Sequence, residues 1–484
     1  MLLKRLYDDG LAQAGYLIGC DVTGEAVVVD PLRDVTPYLD AAKVEGLKIT
    51  HVTETHIHAD FVSGSRELAQ LAGATLHLSD EGAPDWRYGY AADAHAGSLK
   101  HGDQFSVGKV RLDVLHTPGH TPEHLAFLVT DTATSNAPLG MLSGDFLFVS
   151  EVGRPDLLER VANQQGTMEA GARALFQSVQ RLRDLPDFLQ IWPGHGAGSA
   201  CGKSLGALPQ STLGYERLTN WALRTASEDE FVRTVLAGQP EPPPYFAEMK
   251  RINRDGPRLL GARSRPQQLD LARIDRLIAA GVLVVDTRTA QQFAGAHLPG
   301  TLNIPLNRSF TGWAGWLIPY DKEFALLIDP GRAGAVEQAV RELSLIGLDR
   351  IAGYGEIDPE AIDRRRAAGI RPAAIRSVNV TQLQEQLGKG AVVLIDVRSR
   401  AEWEGGHIPG ALHIPLGELA ERQAEIPSTG PVVVQCRTGG RAAIGASLLQ
   451  KLGRKDVVKF DGGYLAWQTA GHPVDTDSHT SARQ

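Results

Sequence analysis

An internal repeat in the second half of the chain constrains its fold more than any other feature. Three short motifs recur at a constant offset of 110 residues. They are VDTR at 285 and IDVR at 395, AHLPG at 296 and GHIPG at 406, and NIPL at 303 and HIPL at 413. Tyr354 and Tyr464 keep the same offset. The repeat therefore predicts two consecutive copies of one α/β domain.

The first half of the chain places histidine and aspartate in loops that follow short apolar strands. The predicted strand over 48–53 leads into HIHAD at 56–60, and later strands end at the turns TPGH, SGD and PGH. Imidazole and carboxylate groups are common ligands of Zn, Fe and Mn. We therefore predict a metal site on a sheet scaffold. Its candidate residues are His56, His58, Asp60, His120, Asp145 and His195.

Length and proline content divide the chain into three predicted domains. A chain of 484 residues has room for about three domains. Three consecutive prolines at 242–244 favour a stiff, extended spacer. We predict domains over 1–250, 265–372 and 376–473. For the arginines at 364–366 we predict a solvated linker surface, with a basic docking patch as the alternative.

Charge and cysteine content narrow the classes of function. The net charge of −8 argues against a general nucleic-acid surface. Three widely spaced cysteines do not make a disulfide framework, and no stretch approaches the ~18 apolar residues of a membrane span. The first residues lack the apolar core of a signal peptide. We expect a cytoplasmic protein with no membrane partner, and we also expect a homo-oligomer.

Cys436 lies between a predicted buried strand over 431–435 and a predicted helix. Backbone amides at a helix N-terminus favour an anion, and two glycines let the loop turn its N–H groups inward. With two arginines added, this loop should stabilise a thiolate or the terminal sulfur of a persulfide. The candidate nucleophile and its loop are Cys436, Arg437, Thr438, Gly439, Gly440 and Arg441.

This loop, with DVR at 396–398, GHIPGA at 406–411 and DGGY at 461–464, strongly resembles the rhodanese family of sulfurtransferases. The resemblance covers about residues 376–472. It implies that Cys436 accepts a sulfane sulfur and passes it to an acceptor such as sulfite or cyanide.

The preceding copy keeps the framework of this domain but changes its loop. Asp329 stands at the position of the cysteine, and Gly334 at the position of Arg441. Because a carboxylate cannot carry sulfur, we predict an inactive rhodanese-like domain, kept for packing or for positioning. Trp313 and Trp316 lie in an insertion of this copy and are expected to pack in a core or an interface, with a docking surface as the alternative.

The strand-end motifs of the first half together resemble the metallo-β-lactamase fold over about residues 1–240. That resemblance implies an αββα sandwich followed by the two rhodanese-like α/β domains. Dinuclear hydrolases of the family carry a second histidine directly after the aspartate of the first motif, and Phe61 takes that place here. A second metal would lose a ligand, so we expect one metal per chain.

Within this superfamily, the motifs are most similar to those of persulfide dioxygenases. The resemblance implies one Fe(II) per chain, with zinc as the alternative metal. The implied ligands are His56, His120 and Asp145. Two imidazoles and one carboxylate with open positions suit an oxygen-using non-haem iron. His58, Asp60 and His195 would then orient ligands or waters, although spacing alone leaves His58 and Asp60 open as ligands.

Two further residues are candidates for substrate binding. Arg154, in GRPD at 153–156, either holds substrate charge or forms a structural ion pair. Cys201 follows the His195 turn, and it either carries substrate sulfur near the metal or serves packing.

The whole chain resembles a bacterial persulfide dioxygenase–rhodanese fusion, which implies one pathway. Iron and O2 would oxidise the persulfide of a small thiol such as glutathione, bacillithiol or coenzyme A to thiol and sulfite. Cys436 would move sulfane sulfur between persulfide and sulfite or thiosulfate. Two alternatives stay open: a zinc thioester hydrolase of the glyoxalase II kind, and a sulfur-carrying or sensing module with a vestigial metal site.

Overall fold

The computed structural model describes residues 1–162, 166–203, 205–261 and 265–476. The chain divides into two units, Met1–Arg263 with Arg341–Gly347, and Ser264–Val340 with Leu348–Gln484. Within the described ranges, no helix has both the length and the apolar composition needed to cross a bilayer. The three domain boundaries stay predictions.

The first unit is built on two six-stranded sheets. The first sheet runs in chain order and contains β1 (Leu2–Asp8), β2 (Gln13–Cys20), β3 (Glu25–Val29), β4 (Lys48–Thr53), β5 (Thr75–Ser79) and β6 (Gly97–Leu99). The second sheet contains β7 (Gln104–Val107), β8 (Val110–His116), β9 (Leu125–Asp131), β10 (Gly140–Gly144), β11 (Gln190–Pro193) and β12 (Ser211–Thr212). Its spatial order is β12-β11-β10-β9-β8-β7.

Apolar side chains from both sheets form one core between them. In β8, Val110, Leu112 and Val114 are buried and alternate with more exposed residues, which is the period of a half-buried strand. These side chains share a cluster with Ile18 and Val27 of the first sheet. The two sheets therefore pack face to face.

Helices cover the outer faces of this sandwich. They are α1 (Thr36–Val44), α2 (Ser65–Ala72), α3 (Leu157–Ala162), α4 (Thr167–Gln180), α5 (Leu213–Thr219), α6 (Trp221–Arg224), α7 (Glu228–Leu236) and α8 (Tyr245–Asp255). Leu175 and Val179 of α4 pack with Met141 of the second sheet, whereas α1 and α2 contact β4 of the first sheet. The predicted αββα order is confirmed.

The second unit holds two smaller parallel sheets. The first, in the order β14-β13-β15-β16, contains β13 (Leu283–Asp286), β14 (Leu302–Asn303), β15 (Phe324–Ile328) and β16 (Ile351–Glu356). The second, in the order β17-β21-β20-β18-β19, contains β17 (Arg376–Val378), β18 (Val393–Asp396), β19 (Leu412–His413), β20 (Val432–Gln435) and β21 (Val457–Phe460). Helices connect the strands, as parallel pairing requires. They are α9 (Leu271–Ala279), α10 (Ala290–Gly295), α11 (Phe310–Leu317), α12 (Ala335–Leu345), α13 (Pro359–Ala367), α14 (Val380–Gly388), α15 (Arg400–Glu404), α16 (Gly440–Lys451) and α17 (Gly463–Thr469).

The two copies share buried ion pairs as well as sequence motifs. The Arg288 guanidinium donates to both carboxylate oxygens of Asp286, and Arg398 does the same to Asp396. In each copy this arginine also donates to the carbonyl oxygen eight residues further on. The repeat is therefore structural.

Two details of the sequence interpretation are wrong. Tyr354 lies in strand β16 whereas Tyr464 lies in helix α17, so these tyrosines are not equivalent. The register of the copies changes before them, because the segments between the strands differ in length. The arginines at 364–366 lie in helix α13 rather than in a linker, and Arg365 pairs with Asp275 at 2.6 Å.

Helix α16 joins the two copies. Its residues from Ala442 to Leu449 are all buried, which is typical of a helix enclosed by protein on every side. The hydroxyl of Ser447 accepts a hydrogen bond from the backbone N–H of Asn303, at 3.0 Å, in the first copy. The helix that follows Cys436 is thereby packed against both copies.

Candidate functional site

Six predicted metal-site residues lie at strand ends of the first unit, and all are buried. The HIHAD segment follows β4, His120 lies in the turn between β8 and β9, Asp145 follows β10, and His195 follows β11. Parallel pairing of β10 with β11 brings the last two strand ends together. The fold therefore gathers residues that are far apart in sequence.

His56, His120 and Asp145 form one group of close ligand atoms. Nε2 of His120 lies 3.4 Å from Oδ2 of Asp145, and Nε2 of His56 lies 4.0 Å from it. One ligand atom from each of the three residues lies within 4.8 Å of the others. This geometry matches the implied ligand set, whose role stays a prediction.

The carboxylate of Asp145 supports the presence of a cation. Both of its oxygens are buried and have no hydrogen-bond partner among the described residues. Burying an unpaired carboxylate is costly, and a metal ion would compensate that charge. The residues present therefore fit a bound metal.

Hydrogen bonds orient the imidazoles of His120 and His195 through their Nδ1 atoms. Nδ1 of His120 donates to the carbonyl oxygen of Arg154, and Nδ1 of His195 donates to that of Ala12, both at 3.0 Å. These bonds leave Nε2 directed towards Asp145. Burial lowers the pKa of His120. The lowered pKa favours the neutral ring, which is the form that binds metal.

His56 is oriented through Thr55, and burial also lowers its pKa well below the usual value. Nδ1 of His56 contacts the Thr55 hydroxyl at 2.9 Å, and that hydroxyl donates to Oδ2 of Asp30 at 2.9 Å. The hydroxyl therefore accepts from the imidazole, and Nε2 is left for the metal. The carboxylate of Asp30 thus orients the His56 ring through the Thr55 hydroxyl.

His58 belongs to neither close group of ligand atoms. Its Nε2 lies 3.1 Å from Oδ1 of Asp30. Burial would lower the pKa of His58, but Asp30 outweighs it and raises the pKa to about 9. Its Nδ1 has no hydrogen-bond partner in the described ranges, so a ligand role stays open.

Asp60, His195 and Cys201 form a second group of close ligand atoms. Nε2 of His195 lies 3.2 Å from Oδ2 of Asp60 and 3.5 Å from Asp145. Burial raises the pKa of Asp60 and that of Cys201. The predicted proximity of Cys201 to the metal-site residues is thus observed, and its role stays a prediction.

Arg154 is buried and extensively bonded. It donates to both carboxylate oxygens of Asp156 at 2.8 Å and to the carbonyl oxygens of Ala200 and Pro240. These bonds occupy most of the five N–H groups of a guanidinium. The geometry favours the structural ion pair over contact with substrate.

Two residues that orient this site, Asp30 and His124, were not predicted from the sequence. Nε2 of His124 accepts a hydrogen bond from the backbone N–H of Asp145 at 3.1 Å, and its Nδ1 bonds Thr117 at 2.8 Å. Asp30 directly follows strand β3, and His124 is one of several nearby histidines. Neither position gave a distinct signal in the sequence.

The candidate sulfur-transfer loop follows β20. The backbone N–H of Gly439 donates to Sγ of Cys436 at 3.1 Å. Gly439 has φ +103°, which a residue with a side chain adopts only under strain. Helix α16 begins at Gly440, so the sulfur lies beside its N-terminus. Of the loop side chains, Arg437 and Thr438 are exposed.

Arg441 is held by an acidic partner. Its guanidinium donates to both carboxylate oxygens of Glu402, at 2.6 and 2.7 Å. Burial would raise the pKa of Glu402, but the bound Arg441 outweighs it and lowers the pKa to about 2. The ion pair fixes the arginine beside the cysteine loop.

The corresponding loop of the first copy is held differently. Oδ1 of Asp329 accepts from the backbone N–H of Gly331 at 2.9 Å, and Oδ2 accepts from the Gln292 side chain at 2.7 Å. Gln292 occupies the repeat position of Glu402. In the first copy, the glutamine at this position donates a hydrogen bond to the aspartate of the loop. In the second copy, the glutamate at this position accepts hydrogen bonds from an arginine.

Comparisons with known proteins identify two kinds of domain in the chain. Residues 8–195 match the metallo-beta-lactamase superfamily, and residues 379–470 match the rhodanese-like domain. A crystal structure of a metallo-beta-lactamase from Staphylococcus aureus is 43% identical, with a TM-score of 0.66, and the match covers 74% of this chain and 99% of that one.

Two kinds of curated relative match the first half. Persulfide dioxygenase ETHE1 of Mus musculus is 29% identical over 49% of this chain and 80% of its own length. Hydroxyacylglutathione hydrolase of Rhodospirillum rubrum is also 29% identical, over 37% of this chain and 60% of its own length. The match thus spans less than two thirds of the second relative.

The chain belongs to the metallo-β-lactamase superfamily. It also carries a rhodanese-like domain at residues 379–470, and so joins two kinds of domain in one polypeptide.

Proposed function

We propose that this chain is a persulfide dioxygenase joined to a sulfurtransferase and acts in sulfur metabolism. The observation that carries the proposal is the presence of both sites in one chain. One is a buried His/His/Asp group with an unpaired carboxylate, and the other is a cysteine in a loop of backbone amides. Persulfide dioxygenases among the relatives support the first activity.

The oxidation consumes a small-thiol persulfide, O2 and water, and yields thiol, sulfite and two protons. When bound, a non-haem iron supplies the activation of O2 that this reaction needs. His56, His120 and Asp145 would hold that iron. The Nδ1 hydrogen bonds fix the two imidazoles, and the His124 bond fixes the backbone of Asp145.

Sulfur transfer proceeds at Cys436 by two exchanges. The thiolate attacks the outer sulfur of a persulfide, the S–S bond of the donor breaks, and the donor thiolate leaves. Sulfite then attacks the outer sulfur now held on Cys436 and leaves as thiosulfate, which restores the cysteine thiolate. The Gly439 N–H is placed to stabilise the anionic sulfur.

A zinc thioester hydrolase is the second candidate. The second ligand group, Asp60, His195 and Cys201, offers a place for another metal, and hydroxyacylglutathione hydrolases are among the relatives. Phe61 argues against it, because its buried ring packs 4.4 Å from the ring of His58 where a dinuclear hydrolase would carry a ligand.

Oxygen uptake by matched variants tests the first proposal. Iron-loaded protein given glutathione persulfide should consume O2, and His120→Ala should not. His101→Ala, which changes an exposed histidine of the same unit, should behave as the unchanged protein. Absence of uptake in the iron-loaded protein would end the proposal, whereas thioester hydrolysis with two bound zinc ions would establish the alternative.

A further inference from the structure

The sulfur-transfer loop opens into a pocket of about 500 Å³ that both rhodanese-like copies line. The copy with the cysteine contributes Cys436, Thr438 and Arg441. The copy without a cysteine contributes most of the remaining wall, including Trp313 and Arg332. The inactive copy is therefore part of the pocket as well as a packing partner.

The two arginines of this pocket differ in how their charge is balanced. Arg441 forms an ion pair with both oxygens of Glu402. Among the described residues, Arg332 bonds two neutral groups, the carbonyl oxygen of Leu306 and, at 2.7 Å, the side-chain oxygen of Gln338. Over the described residues, no carboxylate pairs with Arg332, and none lines the pocket. Arg332 is thus the cation available to a ligand.

The loop of the inactive copy does not supply a carboxylate to pair with Arg332. Asp329 is the nearest acidic residue in sequence. Its carboxylate oxygens accept hydrogen bonds from the backbone N–H of Gly331 and from the side chain of Gln292. Arg332 itself is exposed. Asp329 therefore provides no counter-ion for the arginine.

The size of the pocket indicates an organic ligand. Pockets of roughly 300–1,000 Å³ hold small organic molecules, and sulfite or thiosulfate alone would leave most of this one empty. Trp313, Ile304 and Leu306 offer apolar surface beside the charged group.

We propose that the inactive copy supplies the binding site for the organic part of the sulfur donor. The donor is a small-thiol persulfide that carries a carboxylate. Arg332 binds the carboxylate, Trp313 packs against the chain of the donor, and the outer sulfur reaches Cys436. The exchange forms the S–S bond of Cys436, breaks that of the donor and releases the donor thiolate. This inference rests on the proposed sulfur transfer and names its substrate class.

Donors of different charge test the role of Arg332. Thiosulfate formation from sulfite is measured without O2, so that oxidation does not consume the donor. The donors differ in the charge of their organic part, which bears carboxylates in glutathione persulfide, an ammonium group in cysteamine persulfide and no charge in the persulfide of 2-mercaptoethanol. Arg332→Ala should raise KM for glutathione persulfide about tenfold, with a much smaller change for the neutral donor.

Two further variants distinguish loss of the positive charge at position 332 from a general disturbance of the structure. Arg332→Lys should recover most of the affinity for glutathione persulfide, and Arg332→Glu should shift the preference towards cysteamine persulfide. Arg350→Ala is the matched control, because Arg350 is also an exposed arginine of the inactive copy that bonds a carbonyl oxygen.

Equal losses with all three donors, or no change with any, would overturn the inference. If the unchanged protein transfers no sulfur from any persulfide, the proposed sulfurtransferase activity fails instead. If sulfur is transferred at rates that do not depend on the charge of the donor, the sulfurtransferase activity is supported and only the proposed role of Arg332 is refuted.

Discussion

Asp30 organises the first motif of the metal site without belonging to the candidate ligands. Its Oδ1 accepts the backbone N–H of Thr55 at 2.7 Å and also contacts His58, while its Oδ2 accepts the Thr55 hydroxyl. That hydroxyl in turn bonds Nδ1 of His56. One carboxylate therefore fixes the loop and the ring orientation together.

Replacement of Asp30 should weaken metal binding. Asp30→Asn removes the charge that orients Thr55 and His58, and loss of such a partner lowers metal affinity by about 10–100-fold. Competition with a chelator measures the affinity, and O2 uptake should fall in parallel. Asp40→Asn, at an exposed position on α1, is the control. Unchanged affinity in the Asp30 variant would refute this role.

The Glu402–Arg441 pair should make the stability of the second unit depend on acid pH. The pKa of Glu402 falls from 4.5 to about 2 in the folded protein, so the pair stabilises the fold above pH 4.5 and loses its effect as pH falls towards 2. The midpoint of thermal unfolding should be modestly lower in Glu402→Gln at pH 7. The gap should close as pH falls below 4.5, and a gap that stays constant would contradict the argument.

At the scale of elements, the turn from β20 into α16 depends on one glycine. Gly439→Ala forces a side chain into positive φ, at a cost of about 1–3 kcal/mol, and should move the N–H away from Sγ of Cys436. We expect lower stability and slower transfer of sulfur to sulfite. Gly388→Ala, at the end of α14 with open space around it, should have little effect on either. Equal behaviour of the two variants would contradict this account.

The sequence predicted most elements that carry the sites, because each has a strong local pattern. The strand β4 was predicted at its observed bounds, and β8 ends directly before the turn TPGH, as predicted. Alternating apolar residues and the turns after them are local signals. The ligand candidates follow these strands directly, so they could be predicted as well.

Contacts between segments that are distant in sequence could not be predicted, because no local sequence pattern indicates them. The bond from Asp145 to His124 depends on how β9 and β10 pair, and the Asp30 bonds depend on the pairing of β3 with β4. The approach of Cys201 to Asp60 and the contribution of Arg332 to the Cys436 pocket likewise arise from folding. Sequence spacing carries no information about them.

At the scale of the whole molecule, each site is built from residues of a single unit. The metal-site candidates belong to the first unit, and the cysteine pocket belongs to the second. We therefore expect the two activities to be separable. Cys436→Ser should abolish thiosulfate formation and leave O2 uptake, whereas His120→Ala should do the reverse. Loss of both activities in either variant would show that the sites depend on each other.

Metal-specific reconstitution tests the central claim most directly. Metal-free protein is loaded separately with Fe(II) and Zn(II), and bound metal and O2 uptake with glutathione persulfide are measured on the same samples. We predict one iron per chain, one O2 consumed for each persulfide, and no uptake by the zinc-loaded protein. Iron-loaded protein that consumes no O2, or a zinc-loaded form that binds two ions and hydrolyses a glutathione thioester, would contradict it.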